Sequence, residues 1–160
     1  MSSQSDTPSF DSFIERLETT LPKFQNVAKT ILTTIQGEDR LTLQQLRSLQ
    51  AIEKSDGGML TTKLAKRLNI ASPTMTRIID GLVDRELVDR VPDLDDRRRM
   101  RLVTRPSGSE LLAIYETALH AHLADRLATL DDAQRTRLWE ALDDLDAILS
   151  DAPASSTTKG

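Results

Sequence analysis

Seven charged side chains crowd one short stretch of this chain: Asp93, Asp95, Asp96, Arg97, Arg98, Arg99 and Arg101. Guanidinium groups grip phosphate oxygens with two parallel hydrogen bonds, so an exposed arginine run is suited to holding an anion. Without one, it repels itself. Asp96 and Arg98 are two residues apart and share one side of an extended segment, where they could pair and stiffen a loop. Arg97 then points the other way and is free to enter a minor groove. A solvated charged turn is the plainer alternative. Calcium chemistry fits poorly. A loop of EF-hand type starting at Asp93 needs glycine at position 98 and glutamate at position 104, where Arg98 and Thr104 stand.

A second set of residues lies upstream. Ser72, Thr74, Thr76 and Arg77 are small or basic polar residues at the start of an apolar-periodic segment. Arginine reads guanine through O6 and N7, and threonine offers both a hydroxyl and a methyl to a base edge. Ser72 could equally cap the helix, or do both.

Enzymatic chemistry has no comparable foothold. The chain contains no cysteine, which removes thiolate metal sites, disulfides and thiol switching. His120 and His122 fall about 200° apart on a helix, so they do not converge on one ion. No Ser-His-Asp set, glycine-rich phosphate loop or metal cluster is present. Asp143, Asp144 and Asp146 fit a wet helix face. We expect no catalytic activity, no cofactor and no metal.

The elements that must position these side chains follow from periodicity and caps. Apolar residues from Phe13 to Ile35 recur at helical steps, predicting a helix from Asp11 to Gln36, kinked or broken at Pro22 and ended by Gly37. Thr42 and Gln45 form a capping box for a second helix striped by Leu43, Leu46, Leu49 and Ile52. Asp56-Gly57-Gly58 is a turn. Thr61 caps a short helix over 62–68 that Asn69 closes. Ser72 caps the next, with Pro73 first inside it and Met75, Ile78, Ile79 and Leu82 buried. Two short helices joined by a tight turn make a helix-turn-helix. Leu87–Val91 and Met100–Thr104 are strands around the charged loop, giving a wing. A fifth helix starts near Ser107, with Glu110 completing a capping box. Asp131 and Gln134 open a sixth. Gly81, inside the fourth helix, either permits close packing or softens that helix by about 1 kcal/mol.

These elements predict a mainly α fold with a small β wing: a winged helix-turn-helix plus a helical dimerisation region. Residues 1–10 and 151–160 are expected to be disordered tails. Residues 11–40 would form an N-terminal dimerisation helix, 41–105 the winged helix-turn-helix and 106–150 the C-terminal dimerisation helices. The apolar stripes of the first, fifth and sixth helices must pack on each other, on a second copy, or both.

Net charge is −4 over 160 residues, which at first disfavours a polyanionic partner. The distribution matters more than the total. Residues 61–105 hold 11 basic and 7 acidic side chains, against 10 and 18 elsewhere, so a basic middle sits between acidic flanks. Apolar residues make up 38%, and no apolar run approaches the ~18 that suggest a membrane span. The N-terminus lacks the pattern of a signal peptide, and a cytoplasmic location is expected.

The chain resembles the MarR family of transcriptional regulators over roughly residues 20–149. The likeness rests on Leu64-Ala65-Lys66-Arg67-Leu68, on Ser72-Pro73-Thr74-Met75-Thr76-Arg77, on Arg90, and above all on Asp96-Arg97-Arg98, placed as the family's wing signature. It implies a homodimer with interlocked terminal helices that binds an inverted repeat in double-stranded DNA, and a repressor released by a small aromatic or anionic ligand. By the same resemblance Ser72, Thr74, Thr76 and Arg77 contact bases and phosphates, Arg97 is the wing-tip arginine, and Asp96 with Arg98 is the structural pair. Arg98 and Arg99 join the expected DNA-binding set. Arg47, beside the stripe of the second helix, could anchor an effector carboxylate. The family usually has glycine where Glu86 stands. It also has one residue fewer before Gly108, which leaves the phase of the second wing strand open. An adaptor that kept the fold without binding DNA is the alternative.

Overall fold

The computed structural model describes residues 8–36, 41–93 and 96–150. Six helices and three short strands follow in the order α1 (Phe10–Gln36), α2 (Leu43–Glu53), β1 (Met59–Leu60), α3 (Thr61–Arg67), α4 (Ser72–Asp84), β2 (Val88–Pro92), β3 (Met100–Thr104), α5 (Pro106–Leu127) and α6 (Asp132–Ser150).

The helix starts obey their chemistry in two places and depart from it in three. Thr42 and Gln45 exchange reciprocal backbone hydrogen bonds at 3.1 and 2.9 Å. Asp131 and Gln134 do the same at 2.7 and 2.9 Å. The expected cap at Thr61 is absent: Leu60 occupies the cap position and Thr61 is already helical. Ser72 likewise lies inside α4, behind Ala71, and makes no side-chain cap. Its place is dictated by the extended backbone at Ala71, which the tight turn through left-handed Asn69 (φ 51) delivers one residue early. Ser107 does not cap α5 either. The helix starts at Pro106, and the Ser107 hydroxyl donates to the Glu86 carbonyl at 2.6 Å, which fastens α5 to the base of the wing. Pro22 sits inside α1 without ending it. Gly37 lies outside the described residues.

β1, at two residues, is too short to leave a periodicity in the sequence. It completes a sheet of order β1-β3-β2, in which Met59 faces Leu102. β2 and β3 pair antiparallel from Val88 opposite Thr104 to Pro92 opposite Met100, which sets the phase of the second wing strand.

The core lies under the helix-turn-helix. Leu49, Leu64, Met75, Ile79, Leu82, Val88 and Leu102 have no measurable exposure, and they join α2, α3, α4 and the sheet into one cluster with Ile31, Leu32, Leu112 and Tyr115 of α1 and α5. Among the described side chains of α6, none is buried; Trp139 is 68% exposed. The first half of α1 is similar, with Phe10 at 77%.

Two glycines and one left-handed residue test this packing. A Cβ on Gly81 would lie 2.6 Å from Gln45 Nε2, a side-chain end that can move aside only by loosening its bond to the Thr42 amide, whereas a Cβ on Gly108 would lie 2.4 Å from the Leu87 carbonyl, which is backbone. Gly108→Ala should lower stability by about 2 kcal/mol or more, and Gly81→Ala should lower it less, because alanine's helix propensity offsets part of the displaced cap, as urea midpoints will show. Glu86 holds φ 57, the left-handed region in which a side chain is strained. Glu86→Gly should therefore stabilise the fold by roughly 0.5–1 kcal/mol in the same assay, net of the entropy glycine loses on folding.

Candidate nucleic-acid interface

The buried stripe of α4, Met75, Ile78, Ile79 and Leu82, fixes which side of that helix faces out. Ser72, Thr74, Thr76 and Arg77 are all exposed. They lie at the N-terminal end, the end of a recognition helix that reaches base edges. Pro73 removes one first-turn donor, and Ala71 at the cap position has no side chain that could take up the remaining amides. The Thr76 hydroxyl donates to the Ser72 carbonyl at 3.0 Å. Its proton is thus committed within the helix, and what it offers a base is an acceptor oxygen and a methyl.

The wing is a closed loop built from acids at its base and bases at its tip. The Asp93 amide donates to the Arg99 carbonyl and the Arg99 amide to the Asp96 carbonyl, both at 2.8 Å. One Asp93 carboxylate oxygen accepts the Asp96 amide at 3.1 Å. The other lies 3.7 Å from the Arg101 Nε. Arg101 Nη2 reaches across the sheet to the Gly58 carbonyl at 2.7 Å. The expected pair is present: Arg98 Nε and the Arg98 amide both donate to Asp96 Oδ1 at 3.1 Å. Those two contacts, the side chain first, hold the Asp96 carboxyl below the usual carboxylate range. Pairing leaves the Arg98 side chain 91% exposed, so it stiffens the turn and still meets solvent or a ligand. Arg97 and Arg99 are exposed beside it.

Two interactions at this surface escaped the sequence. Asp93 is buried, its carboxylate working inward on the loop and on Arg101. Asp80 on α4 and Arg90 on β2 form an ion pair at 2.5 Å. The first needs the strand register and the second the angle between helix and sheet, and neither leaves a spacing signal. Arg105 reaches Glu86 and Asp89 at 3.6 and 3.8 Å. Arg47 is exposed on α2. Among the described residues no group of three or more acids or histidines could hold a metal, and no helix is long and apolar enough to cross a membrane.

The wing base and wing tip should respond differently to substitution. Asp93→Ala strands the largely buried Arg101 charge and should cost about 2–3 kcal/mol, measured by urea unfolding. At the tip, a folded-state value below the unfolded one means that the Asp96–Arg98 pair stabilises above the ordinary aspartate value and fails only as pH falls through the lower one. The Asp96 carboxyl should titrate by NMR below the ~3.9 of a free aspartate. An ordinary midpoint would show that the pair does not form in solution.

Known proteins meet the chain at these features. The MarR family model matches residues 41–100, the helix-turn-helix and most of the wing. A helix-turn-helix-type transcriptional regulator of Mycobacterium bovis is 35% identical over 113 residues, 71% of this chain and 78% of that protein. One from Mycobacterium leprae is 33% identical over the same length. Among solved structures, RV1404 from Mycobacterium tuberculosis superposes with a TM-score of 0.78 at 21% identity, covering 93% of this chain and 99% of that one. FabT of Streptococcus pneumoniae, solved in complex with DNA, gives 0.73 at 18% identity, with 86% and 98% covered. The solved structures share the fold, and the mycobacterial relatives match the chain in sequence over 113 residues. The chain belongs to the MarR family.

Proposed function

We propose that this chain is a sequence-specific, DNA-binding regulator of transcription that acts as a homodimer. One observation carries it. A helix start bearing exposed Ser72, Thr74, Thr76 and Arg77 shares a rigid core with a wing whose tip exposes Arg97, Arg98 and Arg99. That arrangement offers one element to a major groove and an arginine tip to the neighbouring minor groove or phosphates. The relatives named as transcriptional regulators and the DNA complex of FabT support the same reading.

Residues 41–105 form the DNA-binding unit, and 11–40 with 106–150 the dimerisation region. The support is the apolar surface a single chain leaves wet: Phe10, Phe13, Ile14 and Phe24 on α1, and Leu138, Trp139, Leu142, Ile148 and Leu149 on α6. Exposed apolar surface of this extent marks an association face. A two-fold dimer presents two recognition helices one DNA turn apart, so its operator is an inverted repeat with half-site centres about 10 base pairs apart. Repression relieved by a small aromatic or anionic ligand is the finer expectation. A groove of about 210 Å³ between α2 and α5 is lined by Gln50, Glu53, Lys54, Ser109, Leu112 and Glu116. Arg47 falls on the same side of α2 as Gln50, one turn before it, and two turns before Lys54 at the helix end, where its guanidinium could take a carboxylate.

Light scattering should give about twice the chain's 17.8 kDa; a folded monomer would remove the dimer. Genomic fragments retained by the protein should contain the inverted repeat, and failure to retain any would leave an interaction adaptor. On that operator Arg77→Ala should cost about 1–3 kcal/mol and much less on random DNA. Arg97→Ala should weaken both and flatten the salt dependence by about one unit with an unchanged melting temperature. Salicylate-like anions should release DNA from the wild type at lower concentration than from Arg47→Ala.

A further inference from the structure

The Asp80–Arg90 pair belongs neither to the buried core nor to the hydrogen bonds that close the wing loop. On α4, Ser72, Thr76 and Asp80 follow at four-residue steps, and Asp80 lies three residues beyond Arg77, so the carboxylate sits on the side of the helix that carries the DNA-facing groups. The buried residues Met75, Ile78, Ile79 and Leu82 occupy the other side. An acid there faces the phosphate backbone of any duplex the helix enters. Its one described cationic partner comes from the wing. Arg90 stands in the middle of β2, opposite Leu102 of β3, and its Nη2 donates to Asp80 Oδ1 at 2.5 Å.

The tether itself is weak. The two side chains remain 36% and 49% exposed, and ion pairs so placed contribute little to folding. The sheet and α4 are already joined without it, because Val88 and Leu102 are fully buried against Met75, Ile79 and Leu82, and Ser107 ties the start of α5 to Glu86. What the pair changes is charge at the interface.

Resting on the assignment of α4 as the recognition helix, we propose that Arg90 is a positioning residue that acts on DNA binding through Asp80. It neutralises a carboxylate on the recognition helix that would otherwise repel phosphate. Asp80, held under Arg90, in turn keeps that arginine from adding to sequence-independent binding. The pair therefore cancels within itself, Arg90 removing the repulsion of Asp80 and Asp80 removing the extra attraction of Arg90, without removing any base contact.

The test is a thermodynamic cycle of Asp80→Asn, Arg90→Met and the double variant. Full-length protein is titrated against a fluorescein-labelled random-sequence duplex across a salt series, with Asp143→Asn on α6 as a remote charge control. Melting temperatures are expected to coincide, because the pair supports little of the fold. Arg90→Met should weaken binding roughly tenfold near 0.1 M salt, and Asp80→Asn should strengthen it by a similar factor with a steeper salt slope. Adding Asp80→Asn to Arg90→Met should restore wild-type affinity, and adding Asp143→Asn should not. If the double variant stays as weak as Arg90→Met, Arg90 is itself a phosphate contact and the proposal fails. If Asp143→Asn restores binding equally, only net charge matters and it also fails. A wild type that binds no duplex at all refutes the assignment of α4 as the recognition helix rather than the role of the pair.

Discussion

Everything this protein can present to a ligand depends on the dry contact where α4 lies on α2, α3 and the sheet. Met75, Ile79 and Leu82 from the helix meet Leu49, Leu64, Val88 and Leu102, and none of these side chains retains measurable exposure. A core packed to that degree does not deform smoothly, because each methylene already has neighbours on every side. α4 and the wing are thereby parts of one rigid body, and their polar residues keep a fixed relation. Gly81 and Gly108 belong to the same constraint: one lets α4 approach Gln45, and the other lets α5 start against the Leu87 carbonyl.

Charge is layered on that frame by depth. At the wing base, Asp93 is buried against the loop amides and Arg101, so it serves the shape of the hairpin. At the tip, Asp96 holds Arg98 by side chain and amide while the guanidinium stays wet. Beyond it, Arg97 and Arg99 are exposed. The order matters physically. Buried acids stabilise a turn by accepting backbone N–H groups, and exposed arginines keep their forks for a ligand. A net charge of −4 is compatible with a polyanionic partner because the acids and the bases of this chain occupy different places.

The helices outside this frame have a different character. The second half of α1 and the first half of α5 close the core through Ala28, Ile31, Leu32, Leu112 and Tyr115. The other half of α1 and all of α6 carry large apolar side chains that a single chain leaves in water. Their stripes were written for burial, and the single chain does not supply the surface that covers them. The helix-turn-helix and wing bury their apolar faces within one chain, whereas the terminal helices do not.

Much of this was legible in residue order. The capping boxes at Thr42 and Asp131, the left-handed Asn69 and the Asp96–Arg98 pair are local, settled by residues within four positions of one another, and the buried face of α4 is announced by Met75, Ile78, Ile79 and Leu82 recurring at three- and four-residue steps. The exceptions are instructive. Ser72 and Ser107 have the right residue type for a cap, yet Ala71 and Arg105 take the cap positions, because the preceding turn and strand decide where extended backbone ends. β1 exists only because β3 passes beside Met59. The Asp80–Arg90 contact and the grip of Arg101 on Gly58 span 10 and 43 residues. The sequence by itself determined the six helices, the two wing strands, the polar face of α4 and the chemistry of the wing tip, since periodicity and short-range hydrogen bonding encode them. Only the tertiary structure decided which charges neutralise each other and which remain for a ligand, because a pairing across two elements depends on the angle at which they pack.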